Sequence, residues 1–141
     1  MNIILFGPPG AGKGTQCDNL AKDLNLYKIS TGDLLRKEVK KESTLGIKIK
    51  TILEQGRLVS DNIINNLIEN ILSNKGCFNR LIFDGYPRNS EQVKHLDILI
   101  KKYNQKISCV LSLKVDQDVI IKRIIGRQVC SKCGLVFNEF F

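Results

Sequence analysis

The nine residues Gly7-Pro8-Pro9-Gly10-Ala11-Gly12-Lys13-Gly14-Thr15 hold the strongest chemical signal in this chain, and they follow the apolar run Ile3-Ile4-Leu5-Phe6 directly. A buried strand feeding a glycine-rich turn and then a helix gathers backbone N–H groups and the positive end of a helix dipole around one point. Such a point suits phosphate. The spacing of Gly7, Gly12 and Lys13 satisfies the phosphate-loop pattern, in which the lysine reaches the β- and γ-phosphates of a nucleoside triphosphate. Gly14 stands where that pattern expects Ser or Thr for magnesium, and the hydroxyl comes one residue later, at Thr15. A second group, Asp84-Gly85-Tyr86-Pro87-Arg88, closes the short apolar run Leu81-Ile82-Phe83. Ligands of parallel sheets bind beyond the carboxyl ends of the strands, so Asp84 is expected to face the same crevice as the loop. There its carboxylate can hold magnesium through the water shell, and Arg88 can present a bidentate fork to a phosphate. The plainer alternative is a tight turn with a surface salt bridge. A third group, Cys130-Ser131-Lys132-Cys133-Gly134, has the spacing of a zinc knuckle but supplies two of the four ligands zinc requires.

Charge and composition narrow the ligand class. The 141 residues carry a formal charge of +8, but the lysines are scattered, aromatics are few and Trp is absent, which argues against nucleic acid. Arginine is sparing, and Arg36, Arg57, Arg88, Arg123 and Arg127 all fall within motifs, which points to small anionic ligands. Five cysteines, an odd number with no secretory signal, argue against a disulfide framework. Cys17, Cys77 and Cys109 are expected to be small, inert, buried residues. Mean hydropathy of −0.09 and the lack of a long apolar run predict one main soluble domain without a membrane span, in the cytoplasm or an organelle matrix.

The elements that must position these residues alternate. Helix is expected over Thr15–Leu24, a short strand at Tyr27–Ile29, and a helix start at Ser30-Thr31-Gly32-Asp33. Gly46 and Gly56 bracket a further helical segment, so residues 30–59 read as a helical insertion between core segments 1–29 and 60–125. Ser60-Asp61 starts the clearest helix, in which Ile63-Ile64, Leu67-Ile68 and Ile71-Leu72 recur on one stripe. Strand Leu81–Phe83, helix Ser90 to about Lys102, strand Ser108–Val115 and a helix capped by Asp116 and ended by Gly126 complete the series. This is the pattern of a parallel sheet covered on both faces.

Taken together, the loop Gly7–Thr15, Thr31-Gly32-Asp33-Leu34-Leu35-Arg36, Gly56-Arg57-Leu58-Val59, Asp84-Gly85-Tyr86-Pro87-Arg88 and Gly126-Arg127 resemble the adenylate kinase family, from the first residue to the last. The resemblance implies a three-layer α/β fold of the phosphate-loop nucleoside triphosphate hydrolase type, with a monophosphate-binding insertion at 30–59 and a lid starting at 126. It implies reversible transfer of a phosphoryl group from magnesium-ATP to AMP, giving two ADP, by a monomer. Gly10, Ala11, Gly12, Lys13, Gly14 and Thr15 would hold ATP. Thr31, Arg36, Arg57, Val59, Gly85, Arg88 and Gln92 would surround AMP. Gln92, one helical turn past Arg88, would hydrogen-bond the adenine edge; taken alone it reads as an exposed helix residue, so its role rests on the resemblance. Arg123 and Arg127, one turn apart at a helix end, would clamp phosphates with Lys13 and Arg88, their plainer role being a solvated helix end. Asp84 would hold Mg2+ through water, while Cys130 and Cys133 would form half of a structural Zn2+ site in an intact lid. His95 is expected to be an ordinary surface or helix-face residue.

Departures from the family pattern limit the expectation. Gln128 stands where the family shows a second arginine, and the resemblance implies more lid, further arginines and a final strand and helix after Phe141. The chain is therefore expected to be a fragment or a shortened product; a fragment would bind better than it catalyses. A UMP/CMP kinase is the nearest chemical alternative, against which Gln92 and the cysteine-bearing lid speak. A non-catalytic nucleotide-binding module is an alternative of another class, and a zinc-ribbon nucleic-acid module a more distant one. No general base is required, because the attacking phosphate oxygen is already ionised; aligned anions and dispersed positive charge suffice.

Overall fold

The computed structural model describes residues 1–133 and 136–141. Gly134 of the cysteine knuckle and Leu135 of the terminal segment lie outside the described residues. Four parallel strands, β1 (Asn2–Phe6), β2 (Tyr27–Ser30), β3 (Leu81–Asp84) and β4 (Ile107–Ser112), form a sheet in the order β2-β3-β1-β4. The near-continuous apolar runs of β1 and β3 are buried on both faces, as befits strands covered by helices on either side. Alternation then splits the core. Ile3, Leu5 and Ile82 meet Cys17 of helix α1 (Lys13–Asp23) on one face. Ile4, Ile29, Leu81 and Phe83 face Ile68 and Leu72 of α4 (Asp61–Leu72) and Leu96, Leu99 and Ile100 of α5 (Ser90–Lys102) on the other.

This topology fixes where a ligand can sit. The connection leaving β1 runs through α1 to β2, past one side of β3, while the connection leaving β3 runs through α5 to β4, past the other side of β1. Neighbouring strands whose outgoing loops diverge open a crevice at their carboxyl ends. Leu5 pairs with Asp84 in register, so the loop after β1 and the turn after β3 open at the same level.

Helices α2 (Thr31–Lys40) and α3 (Thr44–Glu54) fill the region expected to be helical. Their caps are the polar residues the sequence offers: Ser30 Oγ accepts from the Asp33 N–H, and Ser43 Oγ from that of Gly46. At α5, Asn89 Oδ1 accepts from the Gln92 N–H. Ser60 has the backbone of an N-cap before α4, yet among the described residues its side chain makes no capping bond.

Three expectations need correction here. Helix α1 begins at Lys13, two residues before Thr15, because Gly12 in the left-handed region (φ 89) already supplies the turn. Strand β4 stops at Ser112, not Val115, and Cys109 within it is exposed, because β4 is an edge strand whose outer residues are little covered. Arg123 and Arg127 are not one helical turn apart: α6 (Gln117–Ile125) ends at Gly126, as expected, and Arg127 opens the antiparallel hairpin β5 (Arg127–Val129) with β6 (Val136–Asn138). Only glycine fits at this turn, since a Cβ on Gly126 would lie 2.5 Å from the Phe140 ring and 2.7 Å from Asn138 Oδ1. Among the described residues no helix is long and apolar enough to cross a membrane.

Candidate functional site

The loop between β1 and α1 has the geometry its glycines foretold. Gly10 sits at φ 80, in the region that favours glycine, and a Cβ there would come 3.1 Å from Ile124 Cγ1 and 3.2 Å from the Ile120 carbonyl oxygen. The loop therefore packs tightly against α6. Among the described residues no side chain caps the N-terminus of α1, which leaves its first-turn N–H groups directed at the crevice. Lys13 curls over the same loop and donates from Nζ to the carbonyl oxygens of Gly7 (2.7 Å) and Pro8 (2.8 Å). Asp84 borders this N-terminus, as expected: a Cβ on Gly14 would lie 3.8 Å from Asp84 Oδ2.

Lys28 was not anticipated as part of this group. Its ammonium, on β2, reaches Asp18 (2.8 Å) and the Gly14 carbonyl oxygen (3.3 Å), and lies 3.9 Å from Asp84 Oδ2. Burial works against the charge, but the bond to Asp18 and the charges of Asp18 and Asp84 outweigh it and hold the Lys28 pKa above its ordinary value. A lysine inside a four-residue parallel strand was the available signal. Behind it, burial and then the Asp84 charge push the Cys17 thiol up to about 12.

Across the crevice, four of the residues expected around a monophosphate come together. Arg88 donates from Nε to the Gly85 carbonyl oxygen (2.7 Å) and from Nη2 to Thr31 Oγ1 (3.1 Å), and the Thr31 hydroxyl donates to the same Gly85 oxygen (3.3 Å). Gly85 adopts φ 76, and a Cβ there would be 3.0 Å from Arg88 Nη2. Gln92 is not the exposed helix residue its position suggests: it is 3% exposed, its Oε1 accepts from the Arg88 N–H (2.7 Å), and its Nε2 donates to Asp61 Oδ1 (2.5 Å). Asn89 Nδ2 donates to the other Asp61 oxygen (3.0 Å). Tyr86, beside this network, donates to Asn65 Oδ1 (2.9 Å), and burial followed by the Asp61 charge pushes its phenol up to about 12. Reading Asp61 only as a helix-start residue missed its place here.

Other expected residues lie apart. Val59 is buried, but Arg57 is exposed after α3. Arg36 folds along α2 onto Asp33 (2.6 Å) and Gly32. Burial opposes the Asp33 charge, but Arg36 outweighs it and keeps the carboxyl below its usual range. Arg123 approaches the loop, with Nη1 3.5 Å from the Gly10 carbonyl oxygen, and stacks on Phe141 at 5.5 Å, whereas Arg127 is exposed on the hairpin. His95 is half-buried on α5, and its Nε2 is buried without a hydrogen-bond partner among the described residues.

The metal expectations divide. Asp84 offers a carboxylate oxygen at the loop, the donor type magnesium takes. Cys130 is held below the usual thiol range by the backbone N–H groups of Cys133 and Lys132 and then by the Cys133 thiol. That favours a thiolate, but among the described residues no three His, Cys, Asp or Glu side chains gather to hold a metal. Two thiols do not make a four-coordinate zinc centre.

The family model for adenylate kinase matches residues 5–135 of the chain. The chain belongs to the adenylate kinase family. The adenylate kinase of Pelagibacter ubique is 50% identical over 141 residues, which is all of this chain and 66% of that protein. The adenylate kinase of Zymomonas mobilis is 42% identical over 141 residues, all of this chain and 63% of that protein. That of Methanocella arvoryzae is 44% identical over 142 aligned positions, 98% of this chain and 66% of that protein. The chain thus spans just under two thirds of the length of these curated relatives.

Proposed function

We propose that this chain carries the nucleotide site of an adenylate kinase, which transfers a phosphoryl group reversibly from magnesium-ATP to AMP to give two ADP. The observation that carries this reading is the Thr31–Gly85–Arg88–Gln92 cluster, set across the β1/β3 crevice from an uncapped helix N-terminus and Lys13. An in-line transfer between two anions needs them aligned and their growing charge dispersed. Loop amides and Lys13 hold the triphosphate. Arg88 spends two of its five N–H groups on Gly85 and Thr31, which fixes its plane and leaves three for the AMP phosphate. Arg36 and Arg57 join by swinging inward from exposed positions on the insertion, Arg123 already stands beside the loop on α6, and Arg127 joins by approach of the lid at 126–141; this closure keeps water from competing. Bound magnesium would neutralise charge on the phosphate oxygens, with Asp84 holding it through water. The reading implies ATP, AMP and ADP as ligands, a monomer, a role in nucleotide homeostasis, and a cytoplasmic or organelle-matrix setting.

The test is ADP formation from magnesium-ATP with AMP, CMP and UMP in parallel, on chain verified at 141 residues. Turnover with AMP alone is the expected result, and a preference for CMP or UMP overturns the substrate assignment. One observation favours a second reading, a binding module without turnover: among the described residues none of α6 is buried, and this helix carries Arg123. Binding of ATP and AMP without ADP formation would select it.

A further inference from the structure

In the crevice the Gln92 amide is bonded at both ends, to the Arg88 N–H and to the Asp61 carboxylate. An amide can usually be turned end for end at little cost, because oxygen and NH2 have the same shape. Here both neighbours forbid the turn. The Arg88 backbone N–H can only donate, so the atom facing it must be Oε1; the Asp61 carboxylate accepts, so the atom facing it must be Nε2. Turning the amide would set N–H against N–H and a carbonyl oxygen against a carboxylate, at a residue too buried for water to relieve either clash. Asp61 is itself held, at the first position of α4, by the Asn89 side chain, and Asn89 also caps α5 through the Gln92 N–H. The two helix starts are thereby tied through one carboxylate.

We propose that Asp61 is a positioning residue that locks the Gln92 amide in one orientation, so that the monophosphate pocket selects a base with an amino group beside an acceptor ring nitrogen over its keto counterpart. The inference rests on the AMP reading above and deepens it. After its two internal bonds the amide retains one acceptor lone pair on Oε1 and one N–H on Nε2. Adenine matches that pair, offering N6–H to the oxygen and N1 to the N–H. Hypoxanthine reverses it, with an acceptor O6 and a donor N1–H, while keeping the size, ribose and phosphate. A locked amide rejects the reversed edge; an amide free to turn accepts both.

The experiment compares the affinities of the 141-residue chain for AMP and IMP by calorimetry, in the native chain, Asp61→Ala and Asp61→Asn, with melting temperatures recorded alongside. The native chain should prefer AMP by about 10- to 100-fold, the range a bidentate amide contact gives. Asp61→Ala should bring the ratio to within about threefold, by weakening AMP and strengthening IMP; general loosening of the fold would weaken both alike. Asp61→Asn, which keeps one acceptor for Nε2, should fall between, and decides the matter should the alanine variant not fold. A folded variant that keeps the native ratio overturns the role of Asp61 and leaves the AMP reading intact. A native chain that binds neither nucleotide, or both equally, overturns the AMP reading and the inference with it.

Discussion

The two sides of this sheet are built to different standards. The central strands β3 and β1, with Ile29 of β2, are buried beneath α1, α4 and α5, and the side chains around the crevice are tied to one another and to the backbone. From β4 through α6 to the β5–β6 hairpin, Val110, Leu111, Ile121, Ile124, Ile125 and Val129 remain exposed. The arginines follow this division. Arg88 stands in a fixed frame, whereas Arg123 rests on one long contact to Gly10 and on the ring of Phe141, and Arg127 stands in the open. On the proposed reading, the residues that would recognise a monophosphate are tied into the fold, and the arginines that would supply charge for transfer sit in a segment with little to hold it. That reading makes binding and catalysis separable.

The largest effect that could break this comparison lies in the core. Ile68→Ala, at a residue 0% exposed, should cost about 2–5 kcal/mol, while Ile125→Ala, at one 71% exposed, should stay within about 0.5 kcal/mol. Urea titration of both variants checks it, and equal costs would place the two sides on the same footing. Next comes Gly85→Ala. A left-handed φ of 76 costs a non-glycine residue about 1–2 kcal/mol, and the new Cβ would press on Arg88 Nη2. AMP affinity should fall about tenfold, with ATP affinity unchanged. Smallest is an acid effect confined to the α2–α3 corner. Lys41, against the opposition of burial and with help from Ser43, holds the Glu38 carboxyl below its ordinary range. Its folded pKa is depressed, so its contribution is full above the unfolded value and is lost as pH falls through the folded one. Glu38→Gln should narrow the drop in urea midpoint between pH 7 and pH 3.5 without altering AMP binding at pH 7.

Much of the crevice was legible because its signals are local. A strand, a glycine turn and a lysine at fixed spacing determine a phosphate loop whatever packs around it, and Ser30 announced its helix in the same way. The stripe of α4 gave the buried face correctly, with Ile68 and Leu72 in the core. What escaped depends on meetings between distant segments. Nothing in the spacing of α5 says that Asp61, 31 residues earlier, will take the Gln92 amide, or that Lys28 will lie between Asp18 and Asp84. Cys109 was misplaced because an apolar run predicts a strand but not how completely its faces are covered. Gly126 was read correctly as the end of its helix, but nothing local says that Arg127 then opens a strand, because that strand exists only through its pairing with Val136–Asn138.

The most direct measurement is hydrogen exchange of the 141-residue chain with and without AMP. Amides of β1, β3, α4 and α5 should exchange only on global unfolding, and those of α6 and the β5–β6 hairpin far faster. AMP should slow exchange around Thr31 and from Gly85 to Gln92 and leave the hairpin unchanged. Uniform protection across the sheet, or an AMP response confined to the hairpin, would contradict the division between a rigid recognition side and a loosely held transfer side.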